Sequence, residues 1–325
     1  MPIPTGTAAI SFSQIRSELA SGTNGVAFTP ATTDLNLNTS TIRNFLFPAT
    51  KTSGATMSLS EMRGVAFRGF ILTGQPQTYN IRDAMVAAGW DGTSRATANV
   101  AVTTGDLGTP AVANYALQTG TPWPAAATLV VRLDAGASII GKGGPGGNGG
   151  IGNQNVPGAQ GGGSQSGGLP GTGGGTAILA SRALTIVNAG VISGGGGGGG
   201  GGAGDRSTSP PWAGGGGGGG GGRTGGGTTS AGGIGGTGTG GPPYTGGDGQ
   251  PGTFAAIGTG GPGQGTAPST RASGPGGNGG GRAVAGQSGT PANRPGGAGG
   301  AAGSSISGYP LVTYSGAGSL LGPTI

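Results

Sequence analysis

Two runs of nine consecutive glycines, Gly194 to Gly202 and Gly214 to Gly222, constrain this chain more than any other feature. They lie inside a glycine-dominated tract from Gly141 to Gly303. Such a tract is either a disordered low-complexity linker or a set of backbones hydrogen-bonded to one another in a lattice that only glycine permits. Collagen is the wrong model, because it needs two bulkier residues between successive glycines. Here the ratio is inverted: Gly143-Gly144-Pro145-Gly146-Gly147-Asn148-Gly149-Gly150-Ile151 reads Gly-Gly-x, as do Gly232 to Thr237, Pro275 to Gly280 and Pro295 to Gly300. A polyproline II helix has three residues per turn, so residues three apart line one edge. A Gly-Gly-x helix then has two bare edges for neighbours and one bearing side chains, which suits the rim of a bundle. The nine-glycine runs suit its centre, and each would span roughly 28 Å at about 3.1 Å per residue. Fixing a residue costs about 1–2 kcal/mol, and glycine has no side chain to bury. Only interchain backbone hydrogen bonds, about 0.5–1.5 kcal/mol net each, can offset that. The register of the repeats favours the lattice over disorder.

The rest of the composition mainly excludes functions. Glycine makes up 87 of 325 residues, 7% are charged, and cysteine and histidine are absent. Disulfides, thiolate or imidazole metal sites and Ser-His-Asp or Cys-His nucleophiles are thereby excluded. The nine carboxylates are isolated along the chain, and a near P-loop at Gly136 to Gly143 lacks the Ser or Thr that would meet the metal. No enzymatic function, cofactor or metal is expected. The net charge of +6 comes from arginines scattered singly, without the cluster that binds nucleic acid. Nothing resembles a secretion signal or a membrane span. A protein meant for a cell exterior without such a signal would leave by lysis, as part of a virion.

Three units near the N-terminus share Ser-x-apolar-Arg: Ser13 to Arg16, Ser40 to Arg43 and Ser60 to Arg63, with a weaker copy ending at Arg82. Ser11 with Gln14 and Ser58 with Glu61 fit capping boxes, which predicts two short helices. The units are either brief elements with exposed arginines or docking elements built on Ile15, Arg16, Ile42, Arg43, Met62 and Arg63. From 66 to 141, strands are predicted over Phe67 to Leu72, Thr97 to Thr103, Tyr115 to Thr119 and Thr128 to Leu133. One helix is predicted over Ile81 to Ala88, capped by Asn80 and stopped by Gly89, with Trp90 packed against it. A longer repeat joins this region to the tract. Leu129 to Gly141 aligns with Leu184 to Gly194, and a degenerate copy, Leu311 to Gly322, closes the chain. Each is a strand, a glycine turn and a short apolar strand, so the copies are expected to pair and form a base for the glycine helices.

Non-glycine segments break the tract at Asp205 to Trp212, Pro242 to Thr245 and Pro251 to Phe254, with Gln264 to Arg271 and Arg282 to Arg294 as further candidates for loops at the bundle ends. Trp212, Tyr244 and Phe254 are the tract's aromatics. On rigidly held loops they would form a recognition surface. The plainer reading is an apolar cover on the bundle sides.

Ile10-Ser11-Phe12-Ser13-Gln14-Ile15-Arg16, and Leu184-Thr185-Ile186-Val187-Asn188-Ala189-Gly190-Val191-Ile192-Ser193 leading into polyglycine, resemble tailed-phage tail proteins. The tract resembles that of the receptor-recognising adhesins at the tips of T-even-type long tail fibres, whose distal domain is a sandwich of polyglycine II helices. Taken with the elements read above, the expected fold is mixed: a small α+β N-terminal virion-attachment region (1–65), a β-rich, α+β connecting domain (66–141), a distal polyglycine II bundle (142–305), which is the part the resemblance implies, and a C-terminal strand returning to the base (306–325). The resemblance implies docking on phage tail or fibre proteins through the N-terminal half, and binding of a host outer-membrane protein or surface glycan through loops around Asp205, Arg206, Trp212, Tyr244 and Phe254. Neither nucleic acid nor membrane insertion is implied, and homo-oligomerisation stays open. Residues 1 to 140 do not clearly match the family's fibre-binding domain, which leaves attachment to a tail tip or baseplate open. The rival readings are a structural spacer or cement in the tail, and an ice-binding protein, which would want a flat face of repeated small residues.

Overall fold

The computed structural model describes residues 23–24, 65–73, 78–151, 167–204, 215–222, 229–236, 246–253, 256–263, 273–292 and 294–325. Its strands form three parallel sheets. The first orders β1 (Thr23–Asn24), β2 (Val65–Thr73), β4 (Arg95–Thr104), β7 (Thr128–Leu133), β10 (Leu184–Asn188) and β13 (Val312–Ser315) side by side. The second orders β5 (Asp106–Gly108), β8 (Ser138–Ile140), β11 (Val191–Ser193) and β14 (Ser319–Leu321), and the third β3 (Tyr79–Asn80), β6 (Leu117–Gln118), β9 (Ile178–Leu179) and β12 (Ile306–Ser307). From β4 onward the chain visits the three sheets in turn and begins again, so it winds as a coil with one strand per sheet in each circuit.

Stacking circuits in register puts like side chains above one another. Val100 pairs with Val131, Val131 with Ile186 and Ile186 with Tyr314 in the first sheet. Leu107, Ile139, Ile192 and Leu320 form a row in the second, and Leu117, Ile178 and Ile306 in the third. These rows line the buried core, and burial of each such aliphatic side chain contributes about 1.5–3 kcal/mol. The copies of the long repeat are neighbours here, with Val131 opposite Ile186 and Leu184 opposite Val312.

The single α-helix among the described residues, α1 (Ile81–Ala87), precedes the first full circuit. Asn80 Oδ1 accepts from the N–H groups of Arg82 and Asp83 at 3.0 and 3.3 Å. Gly89, at φ 88°, ends the helix in a conformation that other residues avoid. Ile81 and Met85 are buried, and Trp90 stacks on Trp123 with ring centroids 4.9 Å apart. Replacement of Asn80 by alanine is expected to cost about 0.5–2 kcal/mol, measured by chemical denaturation.

The mixed architecture expected from the sequence is overturned. The described residues are strand-rich, with parallel sheets and one helix, and no small α+β N-terminal region is evident among them. The reason is periodic: each circuit supplies only a few apolar positions per strand, too few for a self-contained domain, and they are buried only by stacking on the next circuit. The helices expected at Ser11 and Ser58 lie outside the described residues.

The glycine tract leaves this coil between the second and third sheets, in two excursions. The first, after β8, contains rod 1 (141–151) and rod 2 (167–176); the second, after β11, contains rod 3 (194–204), rod 4 (215–222), rod 5 (229–236), rod 6 (246–253), rod 7 (256–263), rod 8 (273–281), rod 9 (284–290) and rod 10 (294–303). Backbone hydrogen bonds join the rods at three-residue intervals, as in Gly144 to Gly196, Gly147 to Gly199 and Gly150 to Gly202, donor first, each 2.8 Å. Rod 3 is bonded to rods 1, 2, 4, 8, 9 and 10, and rod 4 to rods 1, 3, 5, 6, 7 and 8. Rods 3 and 4 are therefore each ringed by six others, and the rods stack in three layers: 2, 1 and 5; 10, 3, 4 and 6; 9, 8 and 7.

The ring explains the glycine count of each rod. A Cβ on Gly195, Gly196 or Gly197 would run into carbonyl groups of Lys142, Gly280 and Gly300 respectively, on three different rods. A rod at a corner meets fewer neighbours and needs fewer glycines. Rod 9 has only Gly286 and Gly289, and these face Gly198 and Gly201 of rod 3. Arg282 to Arg294 is accordingly a turn, a rod and a second turn, where the sequence suggested one loop. One glycine in three is too sparse a signal to mark a corner rod.

Candidate functional site

Odd-numbered rods run away from the sheets and even-numbered rods return. Rods 1 and 3 are parallel, since the hydrogen bonds from Gly144, Gly147 and Gly150 rise along rod 3, whereas those from Leu169, Thr172 and Gly175 of rod 2 descend along rod 1 to Asn148, Pro145 and Lys142. The same alternation holds through rod 10. It gathers the ends of successive rods at two faces. At the far face lie the pairs 151 and 167, 204 and 215, 236 and 246, 263 and 273, and the turn in which the Ala292 N–H donates to Arg294 O at 3.0 Å. At the face nearer the sheets lie the pairs 222 and 229, 253 and 256, and 281 and 284.

The sequence breaks divide between these faces. Asp205, Arg206, Trp212 and Tyr244 lie outside the described residues, in stretches whose flanking residues, Gly204 and Gly215, Gly236 and Gly246, are at the far face. Phe254 is also outside the described residues, but Thr253 and Ala256 on either side of it close a turn at the near face, where the Thr253 N–H donates to Ala256 O at 2.8 Å. The chain thus brings the flanks of four of the five candidates together and separates those of the fifth. Ile15, Arg16, Ile42, Arg43, Met62 and Arg63 lie outside the described residues.

Three side chains that sequence reasoning missed complete the lattice at its rim. The Gly235 N–H donates to Asp248 Oδ1 at 2.7 Å, the Ile234 N–H to Asn148 Oδ1 at 2.9 Å, and the Gly260 N–H to Asn278 Oδ1 at 2.9 Å. For the two asparagines a signal was available, since Pro-Gly-Gly-Asn-Gly-Gly occurs at 145–150 and again at 275–280. Both copies are the middle rod of an outer layer. Proline, without an N–H, suits the outward edge, and asparagine one turn later supplies an acceptor there. At the near end the Lys142 ammonium donates to Pro110 O at 2.7 Å, and burial pushes its pKa down. Among the described residues no helix is long and apolar enough to cross a membrane.

Residues 69–325 match the family model for the phage tail fibre adhesin Gp38. The chain belongs to that family. It is a receptor-binding adhesin, located on the tail fibre of the virion, and so sits where the tail-protein resemblance in its sequence placed it. The adhesin is similar to a chain in the crystal structure of the gp37-gp38 adhesin tip complex of the bacteriophage S16 long tail fibre, at 22% identity over 95% of this chain and 94% of that one, with a TM-score of 0.46. No curated protein matches it. The adhesin family is one of binding proteins, and the described geometry is a hydrogen-bonded backbone lattice that gathers the flanks of several chain connections at one face.

Proposed function

We propose that the far face of the glycine lattice carries the receptor-binding surface and that the adhesin acts there by binding alone, without catalysis. The supporting observation is the alternation of rod direction, which gathers the flanks of 152–166, 205–214, 237–245 and 264–272 at the end remote from the sheets. A rigid lattice lowers the ordering cost of loops anchored on it, so more of the contact energy appears as affinity. The receptor is a host outer-membrane protein or surface glycan, contacted by Trp212 and Tyr244 with Asp205 and Arg206 beside them. Aromatic anchors are the usual centres of such contacts. On the same reading the N-terminal region, residues 1–65, docks the adhesin on its fibre, with Ile15, Arg16, Ile42, Arg43, Met62 and Arg63 as the contact candidates.

Competition for host-cell adsorption tests this. Purified adhesin is expected to block phage attachment, and a variant carrying Trp212→Ala and Tyr244→Ala to need about 30-fold or more protein for half-blocking, as for two contacts worth about 1 kcal/mol or more each. Phe254→Ala, at a position flanked by near-face residues, is expected to block as the parent does. If Phe254→Ala loses blocking while the double variant keeps it, the receptor face is at the other end. A parent protein that does not block at all would make the lattice a spacer.

A further inference from the structure

We propose that Asp248 is a positioning residue for receptor binding, acting as a clasp on the base of the 237–245 connection. The proposal rests on the far face being the receptor surface. Inside the lattice, a rod's N–H groups find carbonyls on neighbouring rods every third residue. At the rim no further rod lies alongside among the described residues, and an N–H facing outward there is met by water or a side chain. Rods 5 and 6 are the two stems of the 237–245 connection. Their last backbone bond before it is Gly246 N–H to Gly236 O, at 2.9 Å. One residue earlier, the Gly235 N–H crosses to Asp248 Oδ1 at 2.7 Å. The two bonds have opposite donors and fix both stems in register. Asn148, reaching Ile234 at 2.9 Å, ties the same rod 5 to rod 1, whose far end opens the 152–166 connection.

Asn278 uses the same chemistry in a different place. Its bond to the Gly260 N–H lies in the middle of rods 7 and 8, three residues back from the last described residue of rod 7. It therefore serves as an internal comparison: a clasp that steadies the lattice without holding the base of a connection. A charge-assisted acceptor at Asp248 is also stronger than an amide oxygen, which places the firmer clasp next to the far face.

The test compares Asp248→Ala, Asp248→Asn and Asn278→Ala for host-cell blocking, thermal unfolding and amide exchange at Gly235. Asp248→Ala is expected to raise the half-blocking concentration about tenfold, through the ordering cost restored to the connection. Its unfolding midpoint should move no further than that of Asn278→Ala, and exchange at Gly235 should accelerate. Asp248→Asn keeps an acceptor oxygen and is expected to bind within about twofold of the parent. Asn278→Ala is expected to bind as the parent does. Three results overturn the inference: parental blocking by Asp248→Ala, blocking by Asp248→Asn as weak as that of Asp248→Ala, which would make the carboxylate a direct receptor contact, or equal weakening by Asn278→Ala. Failure of the far-face reading itself is recognised separately, by parental blocking from the Trp212→Ala, Tyr244→Ala variant.

Discussion

Replacing Gly198 with valine, in the middle of the first nine-glycine run, is expected to abolish folding. A Cβ at this position would overlap the Pro145 carbonyl of rod 1 and lie 2.8 Å from Gly144 O, closer than real Cβ atoms approach. Neither group is a side-chain tip that can swing away. Rod 1 would have to move as a body, and it is held by Gly144, Gly147 and Gly150 to rod 3 and by bonds from rod 4 on its other side. Gly198 is itself bonded to Thr172 O at 2.9 Å and accepts from the Gly300 N–H at 2.7 Å, so displacement exposes several buried backbone groups together. At about 1–3 kcal/mol for each group left unsatisfied, the loss reaches about 5 kcal/mol, an exceptional value for one substitution. Soluble yield and the thermal midpoint are the readouts. Ala298→Val, at an exposed position of rod 10, is the control and is expected to stay within about 0.5 kcal/mol of the parent. A Gly198→Val protein that unfolds within about 1 kcal/mol of the parent would mean that the run is not enclosed.

The second large effect is expected at Asn188, in the coil. This side chain is fully buried at the turn between β10 and β11. Its Oδ1 accepts from the Gly190 N–H at 2.9 Å, while Nδ2 donates to the Tyr314 hydroxyl at 2.8 Å and to Ser319 O at 3.1 Å. One amide thus closes its own turn and fastens the following circuit above it. Alanine would leave the buried Gly190 N–H without a partner, at about 1–3 kcal/mol, and would remove a donor from the Tyr314 hydroxyl and from Ser319 O while emptying a fully buried position. Asn188→Ala is expected to destabilise the adhesin by about 3–5 kcal/mol in urea unfolding. Asn188→Asp should do no better, because it keeps the acceptor for Gly190 but brings a buried charge against the Ser319 carbonyl. A loss below about 1 kcal/mol for alanine would show that water replaces the amide and that the turn does not depend on it.

Much of this arrangement was legible in the residues. The repeat shared by Leu129 to Gly141 and Leu184 to Gly194 pairs in the register of its own alignment, because identical circuits stack with like residues opposite one another. Helix α1 begins at Asn80 and stops at Gly89, since a side-chain acceptor and a left-handed glycine act within a few residues of sequence. Trp90 proved to be a packing residue, stacked on Trp123. The fold class was misread for a related reason. Circuits of a coil are individually too small to announce themselves, so short strands with one helix among them looked like a separate mixed domain.

The sequence by itself determined where no Cβ is tolerated. Two nine-glycine runs mark two enclosed rods, and Gly-Gly-x marks rods with neighbours on two edges, because the requirement for glycine is local to each residue's edge. Only the tertiary structure decided which rods are neighbours, that the tract is inserted between two sheets of one coil, and which face each break belongs to. Trp212 and Phe254 sit in similar Pro-containing breaks, yet their flanking residues lie at opposite faces. The direction of a rod depends on how many reversals precede it, and Asp248 meets Gly235 only because two rods run antiparallel. Polyglycine backbones look alike in either direction, so order and orientation come from the whole set of hydrogen bonds and from no single stretch of chain.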